Sequence, residues 1–254
     1  MSGDDPAHPP FLNAGNAGPF TLDGTRTYRV GRRKVALLDP GPDVERHVRA
    51  LVDWVGGADE VLVLLTHGHG DHAGAARSVA AALGARIHGP ATIDAVDRPL
   101  ADGDAVETDQ GALVAVHTPG HTPDHLCYHW PERAGLFAGD LLLGRGDTTW
   151  VADYPGCVAD YLASLERIRT LTPAVIWPAH GPALTDVPAA LVRFEAHRRA
   201  RIAQVSDALA RLPDASPSEL LPVVYGGSLP PGMERAATLS VAALMDFVRS
   251  GGEG

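Results

Sequence analysis

The stretch THGHGDHAG sets His67, His69, Asp71 and His72 within six residues, spaced by Gly68 and Gly70. In an extended loop, residues two apart point the same way, so His67 and His69 can close on one ion. The glycines let the backbone bend, which can turn Asp71 and His72 towards a neighbouring second ion. Neutral imidazole and carboxylate suit zinc, iron or manganese. No thiolate stands in the set, which argues against a structural zinc site.

Two ions need further ligands, and three candidates stand at suitable places. His121 sits in TPGHT just after the apolar run ALVAVH, Asp140 in AGD where GLFAG ends, and His180 in PAHGP just after AVIWP. Each follows a strand-sized run, so one edge of the sheets can gather all of them. His121 also belongs to HTPGHTPDHLCYH, where His117, His121, His125 and His129 recur at one interval. That spacing would stack four imidazoles on a helix, but Pro119, Gly120 and Pro123 cannot sustain one. The stretch reads instead as strand, loop, strand. His121 at the loop tip is the ligand candidate, and His125 is its neighbour, orienting it or touching substrate.

The elements that position these residues follow from hydrophobic period. Short strands joined by glycine turns run from FTLDGTRTYRV to KVALLD. Val44, Val48, Leu51, Val52 and Val55 mark an amphipathic helix, with Asp43 as its N-cap. EVLVLL (60–65) reads as a buried strand ending at the histidine loop. A second helix is expected over 73–83, closed by Gly84. Strands are expected at ARIH, DAVET, ALVAVH, HLCYHW, GLFAG and AVIWP, with a helix over 158–171. Alternating strands and helices with extra hairpins predict an α/β fold, a mixed sheet covered by helices. Near Pro188 the pattern becomes helical, so residues 1–187 are read as a catalytic domain and 188–254 as a helical or winged-helix appendage.

The series H-x-H-x-D-H, G-H-T, G-D and a later lone histidine resembles the metallo-β-lactamase superfamily over residues 20 to 187. The resemblance implies an αββα sandwich with a dinuclear metal centre. One ion would take His67, His69 and His121, the other Asp71, His72 and His180, and Asp140 would bridge them. Within the superfamily, the order THGHGDHAG, TPGHTPDH, FAGD, WPAHGP and HRRARIAQV is similar to the endoribonuclease-type beta-lactamase-like protein two group. That group carries a winged-helix-like C-terminal domain.

A dinuclear centre of this kind implies a hydrolase that uses metal-bound hydroxide, with two divalent ions, zinc first and manganese or iron as alternatives. Asp71, close to the attacking water in such sites, is the candidate proton acceptor. The cluster HRRARIAQ offers Arg198 and Arg201 for an anionic group of the substrate. Phosphodiester, thioester and ester substrates stay open, as do a mononuclear iron dioxygenase of the same fold and a glyoxalase II-like thioester hydrolase. Resemblance favours RNA. The charge of −10, from 31 acids against 21 Lys and Arg, favours a small ester or thioester. A homodimer is left open. MSGDDPAHPPF lacks a basic stretch followed by an apolar run, no window suits a membrane span, and two cysteines make no disulfide framework. A cytoplasmic protein is the expectation.

Overall fold

The computed structural model describes residues 8–226, 229 and 232–252. The chain divides into two compact units. The first takes the chain up to His117, then Asp124–Arg145 and Pro173–Thr185. In chain order it holds β1 (Phe11–Asn13), β2 (Arg26–Val30), β3 (Lys34–Leu38), α1 (Glu45–Trp54), β4 (Glu60–Leu64), α2 (Gly70–Ala73), α3 (Ala76–Leu83) and β5 (Arg86–Gly89). β6 (Arg98–Pro99), β7 (Ala105–Thr108), β8 (Gly111–His117), β9 (Leu126–Trp130), β10 (Gly135–Gly139) and β11 (Val175–Pro178) complete it.

These strands form two mixed sheets, ordered β1-β2-β3-β4-β5-β6 and β11-β10-β9-β8-β7. β3, β4, β5 and β6 run parallel to one another, and so do β10 and β11; the remaining pairs are antiparallel. The apolar runs of β3 and β4 are continuous because both faces of these strands are covered. Ala36, Leu38, Leu62 and Leu64 join Leu113, Leu126, Tyr128, Phe137 and Trp177 in the layer between the sheets. Their alternates Val35, Leu37 and Val63 face Leu51 of α1, Val55 just past its end and Val79 of α3. A one-residue slip in β4 would exchange these faces, so the burial pattern fixes the register and hence where the strand ends.

The second unit takes Thr118–Pro123, Gly146–Thr172 and the chain from Asp186 onward. Its helices are α4 (Cys157–Leu171), α5 (Val187–Arg211), α6 (Pro217–Tyr225) and α7 (Glu234–Arg249). Asp186 caps α5 by accepting from the Ala189 amide, and Ser216 with Glu219 forms a capping box on α6. The expected appendage over 188–254 therefore begins within the first turn of α5. Its described residues hold three helices and no strand, and a winged helix needs a β-hairpin for its wing. The described residues of this segment are helical, and a winged helix is not confirmed.

Two local expectations change. Asp43 does not cap α1: Val44 donates its amide to Pro42, the chain turns there, and Val44 takes the N-cap position without a side-chain cap. The helix expected over 73–83 is split, because the Ala75 amide turns aside to the Gly41 carbonyl at 2.8 Å and α3 starts only at Ala76. Gly84, in the left-handed conformation at φ 63°, ends α3 as expected. Cys127 and Cys157 are buried and not joined in a disulfide. No described helix is long and apolar enough to cross a membrane.

Candidate metal centre

The C-terminal ends of β3 and β4 are tied together before any ligand is placed. Asp39, just past β3, adopts a left-handed φ of 50° and donates its amide to Leu64 at 2.9 Å. Its Oδ1 accepts from the Thr66 amide at 2.8 Å, and its Oδ2 from the Thr66 hydroxyl at 2.7 Å. That hydroxyl has one proton and gives it to Asp39, so towards His67 Nδ1, 3.0 Å away, it can only accept. His67 therefore carries its proton on Nδ1 and keeps the Nε2 lone pair for a ligand. The same argument holds for His72, whose Nδ1 lies 2.9 Å from Asp39 Oδ2. It holds again for His180, whose Nδ1 faces the Gly24 carbonyl at 3.4 Å. An acceptor on Nδ1 that fixes the ring and exposes Nε2 is the arrangement metal-binding histidines use.

The Nε2 atoms converge on carboxylates. His180 Nε2 lies 3.2 Å from both Asp71 Oδ2 and Asp140 Oδ1, and His72 Nε2 lies 3.4 Å from Asp140 Oδ1 and 3.6 Å from Asp71 Oδ2. Ligand atoms of His67, His72 and Asp140 lie within 4.8 Å of one another, and so do those of Asp71, His72 and His180. The His67 and His69 rings are 4.6 Å apart, edge to face. His72 Nε2 and His180 Nε2 are buried and make no hydrogen bond. Leaving such atoms unsatisfied is costly, and a cation among them removes the cost.

Electrostatics point the same way. Burial alone would drive the proton from His72, but the Asp140 and Asp39 carboxylates outweigh it and hold its pKa well above the usual value. Burial likewise opposes a proton on His180, and Asp140 and Asp71 raise its pKa to about 9. Burial pushes Asp140 up, yet the His72 and His180 charges bring it well below the usual carboxylate range. Asp71 is also held low: burial opposes this, and the neighbouring imidazoles of His180 and His72 outweigh it. A field that stabilises protons on two buried imidazoles also stabilises a divalent cation. The donors are nitrogen and oxygen only, so the residues present fit zinc, manganese or iron.

Backbone geometry holds Asp140 in place. Gly139 has φ 50°, and a Cβ there would stand 2.6 Å from His125 Nε2 and 2.7 Å from Thr66 Oγ1. Only glycine lets β10 end this close to the β4 loop. His125 is wholly buried, and its Nε2 accepts from the Asp140 amide at 3.3 Å. It supports Asp140. No face of its ring is left for substrate, which corrects the expected substrate contact.

In the second unit, His121 is buried, with its Nδ1 2.9 Å from the Trp150 carbonyl. A carbonyl can only accept, so His121 too carries its proton on Nδ1. Arg198 and Arg201, expected to meet an anion, are engaged inside this unit. Arg198 is 4% exposed, donates to the Thr149 carbonyl at 3.1 Å and lies 5.2 Å over the Tyr161 ring. Arg201 bonds Gln204 and the Val224 carbonyl and lies 4.5 Å over Tyr225. Arg198 is thereby buried away from the expected anion, while Arg201 stays half-buried. Asp39 and Thr66 are the functional residues that the motif reading passes over. The one available signal is an aspartate closing the apolar strand KVALLD ahead of Pro-Gly.

Comparison with known proteins decides the family. The model of the metallo-beta-lactamase superfamily matches residues 21–180. This chain belongs to that superfamily. Lactamase-like protein aptB of Emericella nidulans is 36% identical over 197 residues, 75% of this chain. The chain spans 62% of the length of that relative. The beta-lactamase-like protein 2 homolog of Caenorhabditis elegans is 30% identical over 91% of this chain and 80% of its own. The atrochrysone carboxyl ACP thioesterase AgnL7 of Paecilomyces divaricatus is 33% identical over 92% of this chain and 76% of its own. Among solved structures, a metallo-beta-lactamase family protein from Thermus thermophilus shares the fold with a TM-score of 0.78 at 23% identity, covering 95% of this chain and 93% of that one.

Proposed function

We propose that this chain is a metal-dependent hydrolase that holds two divalent ions and cleaves acyl thioesters. The observation that carries the metal reading is the convergence of His72 Nε2 and His180 Nε2, buried and without hydrogen bonds, on the carboxylates of Asp71 and Asp140. In this reading His67, His69 and His121 would hold one ion and Asp71, His72 and His180 the other, with Asp140 as a further ligand of the centre. The assignment of His121 rests on the family's motif order. Zinc is the first choice of metal. The ions supply a Lewis acid for the carbonyl oxygen of the substrate and lower the pKa of water.

The two carboxylates differ in a way that separates their roles. The side chain of Asp71 is 28% exposed and that of Asp140 10%, while both are held ionised by neighbouring histidines. Asp71 can reach solvent, so it takes the proton of the attacking water and passes it towards the leaving thiol. Asp140, fixed by His125 on one side and Gly139 on the other, keeps the ligands together. Asp39 and Thr66 set the tautomers of His72 and His67.

The thioester as substrate is supported by the thioesterase relative that aligns with 92% of this chain, and by a net charge of −10, which opposes an RNA backbone. The test is metal quantification of the purified protein together with turnover of acyl-thioesters, lactones, single-stranded RNA and a chromogenic cephalosporin. Thioester turnover lost in His67→Ala is expected. Faster turnover of RNA than of any thioester would overturn the substrate class, and activity untouched by chelation would overturn the metal reading.

A further inference from the structure

We propose that Arg198 of α5 is a positioning residue for His121, acting through the loop that carries Thr149 and Trp150. The inference rests on the reading of His121 as a metal ligand. Within the second unit, the Arg198 guanidinium donates to the Thr149 carbonyl at 3.1 Å, and the next carbonyl, that of Trp150, accepts from His121 Nδ1 at 2.9 Å. One buried cation on a C-terminal helix thus fixes the segment that sets both the tautomer and the ring angle of His121.

The loop bearing His121 is held from a second side. Ser164 of α4 donates its hydroxyl to the Pro119 carbonyl at 2.7 Å. Gly120, at φ 136°, lies so close to α4 that a Cβ would stand 2.6 Å from the Tyr161 Cα. Arg198 connects the two supports, because the guanidinium that holds Thr149 also lies 5.2 Å over the ring of Tyr161. α4 therefore fixes the backbone at Pro119 and Gly120, while the Arg198–Thr149–Trp150 path fixes the imidazole itself.

The chemistry of Arg198 is hard to explain as packing. It is 4% exposed, has no carboxylate partner among the described residues, and its buried Nε makes no hydrogen bond. Burial accordingly lowers its pKa. An apolar side chain of similar length would fill the space without desolvating a charge. What methionine could not do is donate to the Thr149 carbonyl. Rigid supports of this kind keep a ligand within the fraction of an ångström that metal binding demands.

The experiment is zinc titration of the purified full chain, following both ions by competition with a chromogenic chelator. Arg198→Met is expected to weaken one ion by about 10–100-fold, the range seen when an outer partner of a ligating histidine is lost. The other ion should bind as in wild type. His121→Ala should lose that same ion, and adding Arg198→Met to it should change nothing further. The imidazole nitrogen NMR signals of His121 give an independent readout, with Nδ1 losing its fixed hydrogen bond in Arg198→Met. If Arg198→Met does not fold, Arg198→Lys keeps the charge and stem and should still weaken the same ion selectively. Wild-type affinity for both ions, equal weakening of both, or an additive effect in the His121→Ala background would overturn the proposal. Retention of both ions by His121→Ala would overturn the ligand assignment beneath it, a result distinct from failure at Arg198 alone.

Discussion

Asp39 Oδ2 stands 2.9 Å from His72 Nδ1 and 2.7 Å from the Thr66 hydroxyl, which itself faces His67 Nδ1 at 3.0 Å. One carboxylate at the end of β3 thereby sets the proton positions of two imidazoles, one on the loop after β4 and one in α2. It joins residues that the motif spaces apart, and it lies outside the motif.

Asp39→Asn replaces one acceptor oxygen by an amide that can only donate, so either the Thr66 amide on Oδ1 or both the Thr66 hydroxyl and His72 Nδ1 on Oδ2 lose their acceptor. Affinity for the ion held by Asp71, His72 and His180 should fall by about 10–100-fold, with a smaller loss at the other ion through Thr66. Zinc competition titration measures both. Unchanged affinity at the His72 ion would remove Asp39 from the account.

Gly139→Ala places a Cβ 2.6 Å from His125 Nε2 on a backbone at φ 50°. Strain at such a position costs about 1–3 kcal/mol. For a chain of this length the thermal midpoint should drop by roughly 2–12 °C. Because the displaced group is the one that holds the Asp140 amide, metal content should fall with it. A midpoint and metal content equal to wild type would show that β10 can move away at no cost.

The ligand types are legible in the sequence because glycine-spaced histidines have few other uses, and the strands are legible because their apolar runs are the right length. His67, His72, Asp71, Asp140 and His180 meet because the register of β3, β4, β10 and β11 brings these strand ends together. Asp39 is not legible: a lone aspartate after a strand looks like a turn residue until its distance to His72 is known. Arg198 misleads for the opposite reason. A cluster of arginines suggests an anion, yet helical period turns Arg198 inward and leaves Arg199 outside, hydrogen-bonded to Glu195. In the C-terminal segment the helices are legible from their period, and its described residues hold no strand that would make a wing.

Removal of metal by chelation should lower stability, since the ions bind the folded chain and the unfolded chain has no preformed site. At free zinc 100-fold above the dissociation constant the stabilisation is about 2.7 kcal/mol. Thermal unfolding with and without a chelator, at fixed protein concentration, should show a midpoint that rises with the logarithm of free zinc, even after the sites are full. A midpoint independent of zinc would mean that the buried imidazole nitrogens of His72 and His180 are not where the ion binds.

Asp71 and Asp140 share His180 at 3.2 Å each, yet they should respond differently to the same substitution. Asp71→Asn keeps an oxygen for the ion but cannot accept a proton, so both ions should stay and kcat should fall by roughly 10²–10⁴-fold. Asp140→Asn removes the charge that lies against both His72 and His180, so at least one ion should be lost along with activity. Metal analysis beside thioester turnover separates the two outcomes. Near-full turnover in Asp71→Asn with both ions bound would move the proton to another group, and loss of an ion in that variant would make Asp71 a ligand first.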